Sequence, residues 1–94
     1  MKDKIEYLAD TYGYENQSRQ LIEEMAELTQ AVNHLWRHND YTEFKHRQAV
    51  FEEMADVEIM LEQIKYLLNC RDEVEEYKRY KVARQIKRLQ EGDY

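Results

Sequence analysis

Apolar positions recur at helical spacing along almost the whole chain. Ile5, Leu8, Ala9 and Tyr12 follow the i, i+3, i+4, i+7 pattern, which predicts a short first helix, and Gly13 supplies a C′ stop for it. Leu21, Met25, Leu28, Val32 and Leu35 then alternate spacings of four and three, predicting a second helix from about Glu15 to Arg37. The run HNDYTE at 38–43 breaks the pattern. A third helix begins near Thr42, with Asp40 or Thr42 as its cap, and its stripe is Val50, Met54, Val57, Leu61, Ile64 and Leu68. NCRDEVEE marks the next boundary, where Asp72 and Glu75 are spaced like a capping pair before a fourth, basic helix that frays at Gly92. The expectation is a single all-α domain spanning 1–94, bundle-like with four helices. A short connection makes the second and third helices a central antiparallel hairpin.

Composition adds limits. The chain has 94 residues, 36% charged and 43% hydrophobic, with no Pro and two Gly. A chain this short buries a limited core, and its helices are expected to complete it with further copies, as a homodimer or a dimer of dimers. A formal charge of −6 argues against coating nucleic acid, because phosphate contacts need a positive surface. No apolar run exceeds a few residues, IML at 59–61 being typical, so neither a membrane span nor a signal peptide is expected. Cys70, the only cysteine, cannot close an internal disulfide; it reads as a small buried hydrophobe in a reduced, cytoplasmic setting.

One repeat changes the picture. EEMAE at 23–27 returns twenty-nine residues later as EEMAD at 52–56. The same shift superposes Leu21 on Val50, Met25 on Met54, Leu28 on Val57, Val32 on Leu61 and Leu35 on Ile64. At about 100° per residue, Glu24 and Glu53 lie roughly 60° to one side of the stripe, with Glu27 and Asp56 about 60° further round the same edge. Each helix thus offers an i, i+3 carboxylate pair beside its seam, and antiparallel packing lets the pairs face each other.

Acids beside an apolar stripe are usually a solvated face held by i, i+4 cations. Here the cations are missing: Glu24, Glu27, Glu53 and Asp56 have no Lys or Arg three or four residues away, and only Glu23 has one, Arg19. Ala49, Met60 and Leu67 continue the acidic edge of the third helix, so that edge does not simply face water. An all-oxygen cluster suits a hard divalent ion, Mg²⁺ or Mn²⁺, rather than zinc. A di-iron site would need a Glu-x-x-His motif on each of two helices, and only Glu43 with His46 offers one. His34, His38 and His46 read as surface or loop residues. Lys78, Lys81, Arg84 and Arg88 fall within about 120° on the wheel of the fourth helix, forming one basic face. That face suits either solvent or phosphate.

EEMAE followed by EMAD at 53–56 resembles the paired acidic signature of the all-α nucleoside triphosphate pyrophosphohydrolases, in particular small MazG-like proteins. Gln17, six residues before Glu23, the helix ADVEIMLEQIKYLL and the element KVAR at 81–84 are similar as well, so the resemblance covers roughly residues 13 to 90. It implies Mg²⁺-dependent cleavage of a nucleoside triphosphate between its α and β phosphates, giving monophosphate and pyrophosphate in nucleotide-pool control. Glu24, Glu27, Glu53 and Asp56 would hold the metal, and Glu23 would be a further ligand or the base that orients water. Lys81 and Arg84, with Lys78 beside them, would bind phosphate, while Gln17 and Trp36 are candidates for the base. Two other readings stay open: a non-enzymatic helical interaction or regulatory module, and a degenerate relative that binds nucleotide without turnover.

Overall fold

A computed structural model describes residues 1–37 and 44–92. It consists of three α-helices: α1 (Lys2–Arg37), α2 (Phe44–Leu67) and α3 (Arg71–Gln90). The all-α expectation holds among the described residues. The expected first and second helices run as one element, bent where Gly13 leaves helical geometry at φ 82°, ψ 166°. That backbone region is essentially closed to residues with a Cβ, so Gly13 is a hinge between two helical pieces rather than a left-handed cap. The predicted caps Asp40 and Thr42 lie outside the described residues.

The boundary between α2 and α3 shows how a chain without proline stops a helix. Asn69 takes φ 52°, the Asn69 amide donates to the Tyr66 carbonyl at 3.1 Å, and the Cys70 amide donates to the Lys65 carbonyl at 3.0 Å. This is a Schellman motif with Asn in the position glycine usually takes. The expected Asp72–Glu75 capping pair does not form. Cys70 occupies the N-cap without a side-chain hydrogen bond, and Asp72 stands inside the first turn of α3, where a carboxylate favours the positive end of the helix dipole. Glu75 instead accepts from Lys78 Nζ at 3.1 Å.

α1 and α2 pack antiparallel along their length. Near the bend, Gln17 Nε2 donates to Gln63 Oε1 at 2.8 Å, and Gln63 Nε2 contacts Met60 Sδ at 3.6 Å. Both glutamines are buried, so this pair fixes register: a lone buried amide would forfeit about 1–3 kcal/mol. Beyond Gly13 the first piece of α1 folds over the end of α2. Ala9 is fully buried there, and Tyr66 Oη donates to Asp10 Oδ2 at 2.9 Å, which raises the tyrosine's pKa. Arg71 ties all three helices, reaching Glu6 at 3.6 Å and Glu62 at 3.7 Å.

After that joint α3 leaves the hairpin. Beyond the Arg71 ion pairs it meets α2 only around the turn and does not pack its backbone against α1, and every residue from Glu75 to Gly92 is exposed. The buried apolar set of the described residues is Ala9, Val57 and Met60. The radius of gyration is 16.5 Å, where a compact domain of this length would have about 12 Å. No described helix is long and apolar enough to cross a membrane.

Candidate metal centre

Midway along the hairpin the two acidic repeats meet. Glu24 and Glu27 stand one turn apart on α1, Glu53 faces them from α2, and one carboxylate oxygen of each lies within 4.8 Å of the other two. The antiparallel register set by Gln17 and Gln63 makes this meeting unavoidable, because the acids occupy the same flank of both helices. Three of the four carboxylates that the spacing set against each other thus meet across the seam, and Asp56 does not join them.

The carboxylates differ in surroundings. Glu24 Oε1 accepts from Gln20 Nε2 at 2.9 Å, while Glu24 Oε2 and Glu53 Oε2 are shielded from solvent without a hydrogen-bond partner. Glu27 is exposed and closes the group on its open side. The charges of Glu24, then of Glu53, push the Glu27 carboxyl above the usual carboxylate range. Three acids gathered with two orphaned, shielded oxygens form an arrangement that only a cation or a proton relieves, since an unpaired buried polar oxygen is costly and an ionised one more so. The donor set is all oxygen and fits Mg²⁺ or Mn²⁺.

The other expected site residues are placed less centrally. Asp56, one turn beyond Glu53, is exposed and is not among the oxygens that converge. Glu23 is exposed beside the cluster. Gln17 is taken up by the interior through Gln63, which leaves little of it to meet a base. Trp36 is 69% exposed at the last turn of α1. Lys78 is paired with Glu75 at 3.1 Å, Arg84 lies 5.5 Å above the Tyr80 ring, and the described contacts bring none of Lys78, Lys81 and Arg84 against the carboxylates. Gln20 is the member that sequence reading passed over. Its signal was present: it stands four residues before Glu24, where an amide reaches a carboxylate on the same helical face.

No family model, no curated protein and no solved structure matches the chain.

Proposed function

We propose that this protein is a divalent-cation-dependent nucleoside triphosphate pyrophosphohydrolase of the MazG-like all-α kind, releasing a nucleoside monophosphate and pyrophosphate. The observation that carries the reading is the convergence of Glu24, Glu27 and Glu53 with two shielded, unpartnered oxygens. Structural acids would have been matched by lysine or arginine, as Glu75 is by Lys78.

Glu24, Glu27 and Glu53 would hold the ion, with Asp56 completing its shell through a side-chain rotation. When bound, such an ion neutralises polyphosphate charge and acidifies coordinated water. Glu23, on the exposed edge of the same turn, would orient the attacking water at the α phosphorus. Gln20 donates to one oxygen of Glu24 and so restrains that carboxylate beside the cluster. Lys81 and Arg84 would contact phosphate oxygens, and charge-assisted contacts of that kind act on substrate binding rather than on the ion.

A second reading, a helical interaction module without turnover, draws support from the separation of the α3 cations from the carboxylates within one chain. One assay separates the two. A panel of ordinary, deoxy and modified nucleoside triphosphates is incubated with Mg²⁺ and the products are resolved. Monophosphate plus pyrophosphate is expected, and Asp56→Asn should lose most of the turnover, since an amide is a poorer ligand than a carboxylate of the same shape. Diphosphate plus phosphate would refute the assigned reaction. Absence of turnover with metal still bound would leave a nucleotide-binding or interaction role.

A further inference from the structure

The formal charge of −6 is an average over two regions of opposite sign. Tyr77 to Gln90 of α3 holds six of the fourteen lysines and arginines and none of the twenty acids, so it carries +6 and the rest of the chain −12. The acids of α3, Asp72, Glu73, Glu75 and Glu76, all stand before Tyr77. At about 100° per residue, Lys78, Lys81, Arg84, Lys87 and Arg88 share one half of the helix surface, and Val82, Ile86 and Leu89 lie on the other. Cations at the end of a helix suit its dipole, but that effect is confined to the last turn, and these begin about three turns before it ends. Within the run, Arg84 has Lys81 and Lys87 at i, i+3 and Arg88 at i, i+4, spacings at which like charges destabilise a helix. Lys78 has Glu75 and Arg84 has the Tyr80 ring. Lys81, Lys87 and Arg88 have no ion-pair partner among the described residues.

We propose that α3 binds double-stranded DNA, lying in the major groove with this cationic face on the phosphates. Its placement leaves room for that. Every residue from Glu75 to Gly92 is exposed, and past the turn the helix holds away from both helices of the hairpin, so about 24 Å of helix stands clear. A helix with its side chains is about 10–12 Å across, and the B-form major groove is about 12 Å wide, so α3 enters without displacing any other element. Charge selects the ligand. Cations that repel one another along several turns are offset by a polyanion, and DNA presents one phosphate for about every 1.7 Å of its axis. The acids of the hairpin lie behind the turn, and salt screens their repulsion beyond a Debye length of about 8 Å. A lipid surface suits this helix less, because inserting Val82, Ile86 and Leu89 turns the central cations away from the headgroups. Double-stranded RNA closes its major groove to side chains. The inference rests on α3 alone and stands whether or not the hairpin is an enzyme. Lys81 and Arg84 are shared with the substrate contacts proposed above, so Lys87 and Arg88 carry the test.

Fluorescence anisotropy of a labelled DNA duplex of about two helical turns (~20 bp), titrated with the full chain in the absence of divalent ions and nucleotide, tests this apart from the carboxylate cluster. Saturable binding is expected, with log K falling against log salt at a slope of about −4, because four to five cations meet phosphates. Affinity should then drop about 250-fold between roughly 50 and 200 mM salt. Lys87→Gln combined with Arg88→Gln, both exposed, should make that slope shallower by about two. Arg37→Gln combined with Lys45→Gln makes the same charge change at the opposite end of the hairpin from the turn and should leave the slope as it was. Circular dichroism checks that each variant keeps its helix. No saturable binding at about 50 mM salt would overturn the proposal, as would an equal loss in the two double variants. A double-stranded RNA of the same length bound as tightly as the DNA would overturn the groove placement. Binding to phosphatidylserine vesicles without binding to the duplex would overturn the proposal in favour of a lipid surface.

Discussion

Two regions of this molecule are equally rich in acids and treat them in opposite ways. On α3, Glu75 has Lys78 one turn away, the two meet at 3.1 Å, and the lysine holds the Glu75 carboxyl below its usual range. On the hairpin, Glu27 has Glu24 and Glu53 as neighbours, no cation beside it among the described residues, and a carboxyl pushed above the usual range. The same side chain on the same kind of helix thus titrates in opposite directions. On α3 the acid has its cation on the next turn of the same helix. The hairpin gathers like charges that its described residues do not offset, although lysines and arginines are common elsewhere in the chain. Such a region makes sense as half of an interaction, with a cation as the other half.

The comparison breaks hardest at Glu53. Mg²⁺ or Mn²⁺ at ten times its dissociation constant should stabilise the folded protein by about 1.4 kcal/mol, equivalent to roughly 6–11 °C in a domain of this size. Glu53→Gln should abolish that increase, with protein concentration held constant. Calorimetry showing divalent ions bound equally by the variant would detach the cluster from any metal role.

A smaller effect sharpens the comparison. Gln20→Leu removes the amide that fixes Glu24 at 2.9 Å while keeping the side chain's bulk. Supporting partners of this type are worth about 10–100-fold in metal affinity, and the lower end is expected here because Gln20 is itself partly exposed. Affinity unchanged within a factor of two, read by titration calorimetry with Mn²⁺, would show that Glu24 needs no positioning.

How much of this was visible in the one-dimensional pattern depends on the range of the interaction. The hairpin and the meeting of Glu24, Glu27 and Glu53 were legible because a repeat in one helical phase, joined by a short connection, leaves few ways to pack. The Gly13 break was legible too, since a lone glycine ending a stripe has a local cause. The stop at Asn69 was less so: its left-handed turn competes with ordinary helix at that residue, and only the finished Schellman bonds reveal it. Gln17 misled because an amide gives the same sequence signal whether it awaits a ligand or another buried amide forty-six residues away. The separation of Lys81 and Arg84 from the carboxylates was invisible, for the wheel of α3 orders its residues around an axis without saying where that axis points.

The smallest effects come from titration, and their signs are opposite. Glu27 has a folded-state pKa raised above its unfolded value, so without metal it favours the folded state below about pH 4.3 and loses that contribution as pH rises through the raised value. Glu27→Gln should therefore stabilise the metal-free protein near neutral pH, by roughly 1–3 °C, by removing one of three like charges. Glu75 behaves the other way. Its lowered carboxyl contributes stability above its unfolded pKa and loses it as pH falls through the depressed value. Lys78→Ala should return Glu75 to the ordinary carboxylate range and lower the midpoint at pH 7 by less than about 3 °C, since exposed pairs contribute little and salt screens them. Proton-detected titration of both carboxyls against pH, with and without Mn²⁺ replaced by diamagnetic Mg²⁺, checks the pair in one experiment. Mg²⁺ should drive Glu27 down through its usual range and leave Glu75 where it was. A Glu27 carboxyl that ignores the ion would mean that the cluster, like the Glu75–Lys78 pair, has its charge offset without a metal.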